Sequence, residues 1–234
     1  MWKQWDLSWE HTGLLHNLTG LHRIVGRKIS SREINELDQS ISEACQRRKH
    51  VAIKTVRVPD IGYLESMVSD PKLNVKIIYL VRDPRARVVS RRHFKHQPDE
   101  CDVVERNLRY WTDPPDWLKG RHMVLRYEDL ADDHIRVTQQ IYNIMGLGEI
   151  PEAVTKWLDN NTKRNNPLHY TTRNSKIAAN AWRKKIDFTR MLQVQERCKV
   201  VLSMLGYEAL RSRADLHNDK VQSLKKVIYP FVPS

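Results

Sequence analysis

Arg82 directly follows five apolar or aromatic residues, Ile77, Ile78, Tyr79, Leu80 and Val81, and Ser90 stands eight positions beyond it. A guanidinium is planar and can grip two oxygens of one phosphate, and a hydroxyl two turns into a following helix could serve the same group. Those types at that spacing point to an oxyanion held where a strand runs into a helix. Asp83 and Pro84 would shape the turn, since proline suits the first turn of a helix. Arg85, Arg87, Arg91 and Arg92 continue the basic run; taken singly, each is also explained as part of a solvated helix face.

The elements that must position these residues follow from the pattern around them. The run from Ile77 to Val81 shows no polar alternation, which predicts a strand buried in a parallel sheet. Upstream, residues 30–48 carry Ser30 and Glu33 in capping-box spacing, with Ile34, Leu37, Ile41 and Ala44 on one helical face. Residues 51–60 predict a short strand ending near Pro59, and 61–71 a brief helix stopped at Pro71. Beyond the basic run, 122–130 predicts a third strand, and the helix after it ends at Gly146 and Gly148. Residues 151–161 and 189–208 predict helices, the second carrying Leu192, Gln195, Val201, Leu202 and Leu205. Strands alternating with helices imply an α/β fold with a parallel sheet. In such sheets ligands sit outside the carboxyl ends of the strands, where Arg82 stands.

Composition narrows the partner. The chain has 234 residues and 40% hydrophobic content, enough for a core of ordinary size. Forty Lys and Arg against 28 Asp and Glu give a formal charge of +12, so an anionic partner is expected. No run reaches the roughly 18 apolar residues of a membrane span. The N-terminus lacks the basic-then-apolar order of a signal peptide. Cys45, Cys101 and Cys198 form no CxxC pair, so no metal site is expected; they allow one disulfide with a thiol left over and do not select the pair. Asn17 and Asn160 head glycosylation triplets.

The segment KIIYLVRDPRARVVSR resembles the 3′-phosphate-binding motif of sulfotransferases that use 3′-phosphoadenosine 5′-phosphosulfate (PAPS). It is most similar to that of the Golgi carbohydrate sulfotransferases acting on galactose, N-acetylglucosamine or N-acetylgalactosamine. Arg82 and Ser90 fit the two positions of that motif. Residues 44–75 resemble the family's preceding segment, with Lys54 and Arg57 near the transferred sulfuryl group or the acceptor. VLRYEDLADD resembles the strand and turn that follow the motif, and residues 171–186 with the helix ending in Gly206 and Tyr207 resemble the C-terminal block. The resemblance implies a three-layer, P-loop-NTPase-like α/β fold spanning residues 1–210, with a tail at 211–234. It also implies PAPS as donor without a metal, a carbohydrate acceptor of possibly anionic character, and a Golgi luminal setting. By the same resemblance Arg82, Asp83, Pro84, Arg85, Ser90, Arg57 and Arg173 would contact the nucleotide, and Lys54 would neutralise the bridging oxygen on the leaving side. Arg183 is a further candidate for an anionic contact, whereas Trp182 suits a core.

One family feature has no counterpart. The sulfotransferases carry, ahead of everything matched here, a strand and a loop of the type Arg-x-Gly-Ser-Ser-Phe that holds the 5′-phosphosulfate. Residues 24–33 offer Gly26, Lys28 and Ser30, but a helix cap explains these better. The sequence therefore reads as a domain lacking its first strand and loop. Its catalytic base is unassigned, with Glu10, His11 and Glu128 equally placed. A chain that binds adenosine 3′,5′-bisphosphate without transferring anything is one alternative. A basic nucleic-acid-binding protein is another, although no groove-reading motif appears.

Overall fold

The computed structural model describes residues 31–55, 58–90, 100–162 and 174–225. The chain divides between Arg57 and Val58 into two units. In the first, helix α1 (Ser31–Gln46) forms where the amphipathic pattern predicts it. Arg32 donates to Glu36 and Gln39 to Glu43 along its exposed side, the i,i+4 pairing that supports a surface helix. Ser30, the expected cap, lies outside the described residues. Of the strand expected over 51–60, the described residues 51–55 and 58–60 form no part: residues 51–55 are exposed and take no strand pairing. The alternation of Val51 and Ile53 mimics a strand, but a strand exists only where a neighbour satisfies its backbone.

In the second unit, a 3-10 turn (Ile61–Leu64) and the short α2 (Glu65–Val68) lead to β1 (Ile77–Val81). Then come α3 (Pro84–Ser90), α4 (Glu100–Thr112) and β2 (His122–Arg126). The expected third strand is therefore shorter than 122–130. From Tyr127 the chain turns into α5 (Tyr127–Asp132), because Arg126 pairs with Asp129 three residues on and closes a helical turn. Helices α6 (His134–Met145), α7 (Glu152–Thr162) and α8 (Ser175–Asn180) follow, and Gly146 ends α6 in the left-handed conformation at φ 69°. A 3-10 turn (Ala181–Lys184) leads to α9 (Phe188–Arg197), α10 (Lys199–Met204) and α11 (Arg213–His217). The single helix expected over 189–208 is thus broken at Cys198, whose backbone leaves helical geometry at φ −102°, ψ 17°.

β1 and β2 are parallel and in register, Ile77 beside His122 and Val81 beside Arg126. One face of this pair packs Val81 and Val124 against Val104 and Leu108 of α4, Val194 of α9 and Val201 and Leu202 of α10. On the other, Met123 and Leu125 meet Val137 and Ile141 of α6. Helices on both faces give the three layers that buried parallel strands require. β2 is buried along its whole length, while β1 keeps Ile78 and Leu80 exposed. A further cluster joins Ala86 of α3 to Trp182, Met191, Leu210 and Leu216. Trp182 is thus a core residue, and residues 211–225 contribute Leu216 and Val221 to the same core.

Cys101 of α4 and Cys198, at the break between α9 and α10, form a disulfide that closes 97 residues of separation, with Cys45 left reduced. A loop of that size constrains the unfolded chain by about 2–5 kcal/mol. Urea unfolding with and without dithiothreitol should show the midpoint dropping on reduction. An unchanged midpoint would remove the bond from the list of what stabilises this fold.

Candidate functional site

The register dictates the site. Since Val81 and Arg126 are level, the strand exits run side by side: Arg82 beside Tyr127, then Asp83 beside Glu128. Accordingly the Arg82 guanidinium lies 4.7 Å from the centre of the Tyr127 ring, a cation–π contact. Its Nη2 donates to the Ala178 carbonyl of α8 at 3.2 Å. Its Nε is buried with no hydrogen-bond partner among the described residues. A buried donor left unmet is costly, and sites that keep one commonly do so for a ligand.

Asp83 and Arg85 have different surroundings. Arg85 is fully buried and donates to both Asp83 oxygens, from Nε at 3.0 and 3.1 Å and from Nη2 at 2.7 Å. Its Nη1 reaches Gln195 Oε1 at 2.8 Å and the Glu208 carbonyl at 2.9 Å, and the guanidinium packs on Trp182 at 4.9 Å. These bonds tie α3 to α9 and to the chain after α10, so Arg85 is spent inside the fold and has no donor set left for a nucleotide. Asp83 likewise faces inward and also accepts from the Arg85 backbone at 2.8 Å, which fixes the first turn of α3. Pro84 is buried at the head of that helix. Arg183 too is internal: its guanidinium caps the carbonyls of Asp215, Leu216, Asn218 and Val221.

Ser90, the last residue of α3, is exposed and donates to the Arg87 carbonyl at 3.0 Å. Lys54 is exposed in the first unit. Arg57 and Arg173 lie outside the described residues, as do Arg91, Arg92, Glu10 and His11. Beside α3 opens a cavity of about 310 Å³ with Pro84, Arg87, Glu100, Arg190 and Arg197 among its walls. Arg82 and Ser90 do not line it.

Glu128 is the residue whose place the sequence did not reveal. One carboxylate oxygen accepts from the Asp83 backbone N–H at 3.1 Å and the other from the Tyr207 hydroxyl at 2.6 Å. Burial, then the Asp83 charge, pushes its carboxyl up to about 7, against the opposing pull of those two donors. Burial and the Glu128 charge likewise raise Tyr207 well above the usual phenol range. A carboxyl raised from its ordinary value of 4.5 to about 7 favours the folded state when protonated. That stabilisation is complete below pH 4.5 and is lost as pH rises through 7, amounting to about 3 kcal/mol at most. Melting curves of the parent and of Glu128→Gln should therefore diverge between pH 5 and pH 8, the variant gaining relative stability at the higher pH. A difference that stays constant over that range would place the titration elsewhere.

Comparison with known proteins adds an independent line. The model of a family described as the sulfotransferase domain matches residues 65–211. Carbohydrate sulfotransferase 1 of Danio rerio is 33% identical over 220 residues, covering 82% of this chain and 52% of that protein. Its Homo sapiens counterpart is 35% identical over 212 residues, 79% of this chain and 51% of the relative. Carbohydrate sulfotransferase 3 of Mus musculus is 29% identical over 211 residues, covering 79% and 44%. The chain spans about half the length of the curated relatives it matches. No solved structure matches it.

Proposed function

As the chain belongs to the sulfotransferase domain family, we propose that it serves sulfuryl transfer from PAPS to a hydroxyl of a carbohydrate, with Arg82 gripping the 3′-phosphate of the nucleotide. One observation carries the reading. The Arg82 guanidinium stands at the carboxyl end of a parallel strand, propped on Tyr127, with a buried Nε that has no partner among the described residues. A phosphate oxygen would satisfy that donor and turn an energetic cost into affinity. Ser90 is exposed at the far end of α3, and its hydroxyl would exchange the Arg87 carbonyl for the same phosphate.

The reaction breaks the bond from sulfur to the bridging oxygen of the donor and forms one from sulfur to the acceptor oxygen. Adenosine 3′,5′-bisphosphate leaves and the acceptor proton passes to a base. Little covalent work falls to the protein, so positioning and charge stabilisation supply the rate. Arg82 and Ser90 act far from the reacting bond, holding the nucleotide so that its binding energy orients the sulfuryl group. Lys54, Arg57 and Arg173 keep the roles the family resemblance gives them, Lys54 at the bridging oxygen. Among the described residues β1 pairs with β2 alone, so a strand of the P-loop-like fold carrying the 5′-phosphosulfate loop would pair along its other edge. The net charge of +12 favours an anionic glycan as acceptor. The Cys101–Cys198 disulfide suits an oxidising compartment such as the Golgi lumen. Among the described residues no helix is long and apolar enough to cross a membrane.

Transfer is tested by incubating the chain with PAPS labelled in its sulfur and a panel of galactose- and N-acetylhexosamine-bearing glycans. Label appearing on a glycan, and absent with Arg82→Ala, is the expected outcome. Binding of the bisphosphate with no labelled glycan from any acceptor would reduce the function to nucleotide binding.

A further inference from the structure

Tyr127 and Glu128 leave β2 beside Arg82 and Asp83, and the two exits touch twice. The Tyr127 ring supports the guanidinium at 4.7 Å, and Glu128 takes the N–H of the peptide that joins Arg82 to Asp83 at 3.1 Å. Glu128 is itself held from the far side by the Tyr207 hydroxyl at 2.6 Å. Tyr207 is anchored in turn: it is buried in the core, and its backbone pairs with Leu224 in an antiparallel bridge. The peptide joining Arg82 to Asp83 is therefore held by the Glu128 carboxyl, and the Arg82 guanidinium by the Tyr127 ring. We propose that Glu128 is a positioning residue that aims Arg82 at the nucleotide phosphate, and that its protonation is coupled to nucleotide binding. The inference rests on the proposed role of Arg82.

The coupling has a definite sign. The groups facing Glu128 are the Asp83 carboxylate from the β1 exit and the Tyr207 phenol from the chain after α10. Asp83 is neutralised by Arg85, and on the Glu128 side Arg126 is engaged by Asp129. A phosphate arriving at Arg82 adds negative charge close to Glu128, which favours the protonated carboxyl. By linkage, binding takes up a proton and the protonated form binds more tightly. Either form keeps an oxygen for the Asp83 N–H, so the geometry survives the change of charge. Glutamine imitates the protonated form, since its amide oxygen accepts from that N–H and carries no charge. Alanine removes the acceptor altogether.

The test is calorimetric titration with adenosine 3′,5′-bisphosphate of the parent, Arg82→Ala, Glu128→Ala and Glu128→Gln, at pH 6 and pH 8, with melting curves for each. Glu128→Ala should bind at least tenfold more weakly than the parent while still melting cooperatively, and Glu128→Gln should stay within a few-fold of it. Because the phosphate titrates in the same range, the informative quantity is the ratio of parent to Glu128→Gln affinity, which should fall severalfold from pH 6 to pH 8. That ratio decides the matter even where Glu128→Ala fails to fold. Parent-like binding by Glu128→Ala, or a ratio independent of pH, would overturn the inference while Arg82→Ala still tests the phosphate grip separately. A folded parent that binds no bisphosphate overturns that grip and the inference with it.

Discussion

Arg82→Ala is expected to weaken binding of adenosine 3′,5′-bisphosphate by about a hundredfold or more while leaving the melting temperature within a few degrees of the parent. Charge-assisted hydrogen bonds to phosphate contribute about 1.5–3 kcal/mol each, and a guanidinium offers two in parallel. Among the described residues Arg82 makes one hydrogen bond, to Ala178, and keeps a buried Nε without one. Deleting it removes an unmet donor together with one hydrogen bond and the stacking on Tyr127, so little stability is lost, and functional groups often show this opposition. Lysine at the position should recover only part of the affinity, because a point charge cannot reproduce the bidentate fork or its stacking on Tyr127. Binding unchanged in Arg82→Ala would detach the site from this strand end. Calorimetry on the variants, paired with thermal melts, reads both quantities on one preparation.

Arg85→Ala, three residues away, should do the reverse. Arg85 and Asp83 are a buried ion pair at 2.7 Å, and removing the cation strands a carboxylate in the interior. Breaking such a pair from one side costs about 3–5 kcal/mol. It would also cut the bonds to Gln195 and Glu208 and the packing on Trp182. For a chain of this size the melting temperature should fall by roughly 10 °C. Retained nucleotide affinity in whatever fraction stays folded would mark the loss as structural. A melt unchanged from the parent would show that the clamp contributes nothing and would reopen Arg85 as a ligand contact. The two arginines thus separate the requirements of the fold from those of the ligand, although in the sequence both stand in the same basic run.

That separation was the part least legible in the residues. The apolar run Ile77 to Val81 announces a buried strand, and its abrupt end marks Arg82, because local pattern alone carries that signal. Residue spacing also singles out Ser90, and the motif resemblance identified the family. Arg85 reads in the sequence as a ligand contact because its partners lie far along the chain, Gln195 and Glu208. No local pattern encodes such a contact. α4, from Glu100 to Thr112, was not anticipated, although it supplies Val104 and Leu108 to the core and one half of the disulfide. Its polar residues dilute the apolar periodicity. The strand expected over 51–60 is the opposite case: an alternating pattern is present, but residues 51–55 take no strand pairing. From the residues alone, Glu128 is one of three equally placed candidates for a base. Its actual place follows from strand register, which aligns Glu128 with Asp83 and is set by tertiary packing.

The central claim is that this strand end recognises a 3′-phosphate, and the most direct test compares adenosine 3′,5′-bisphosphate with adenosine 5′-monophosphate on the parent chain by isothermal titration. If Arg82 grips the 3′-phosphate, the bisphosphate should bind at least tenfold more tightly than the monophosphate, and Arg82→Ala should abolish the difference. Equal affinity for the two nucleotides on folded parent chain would contradict the account.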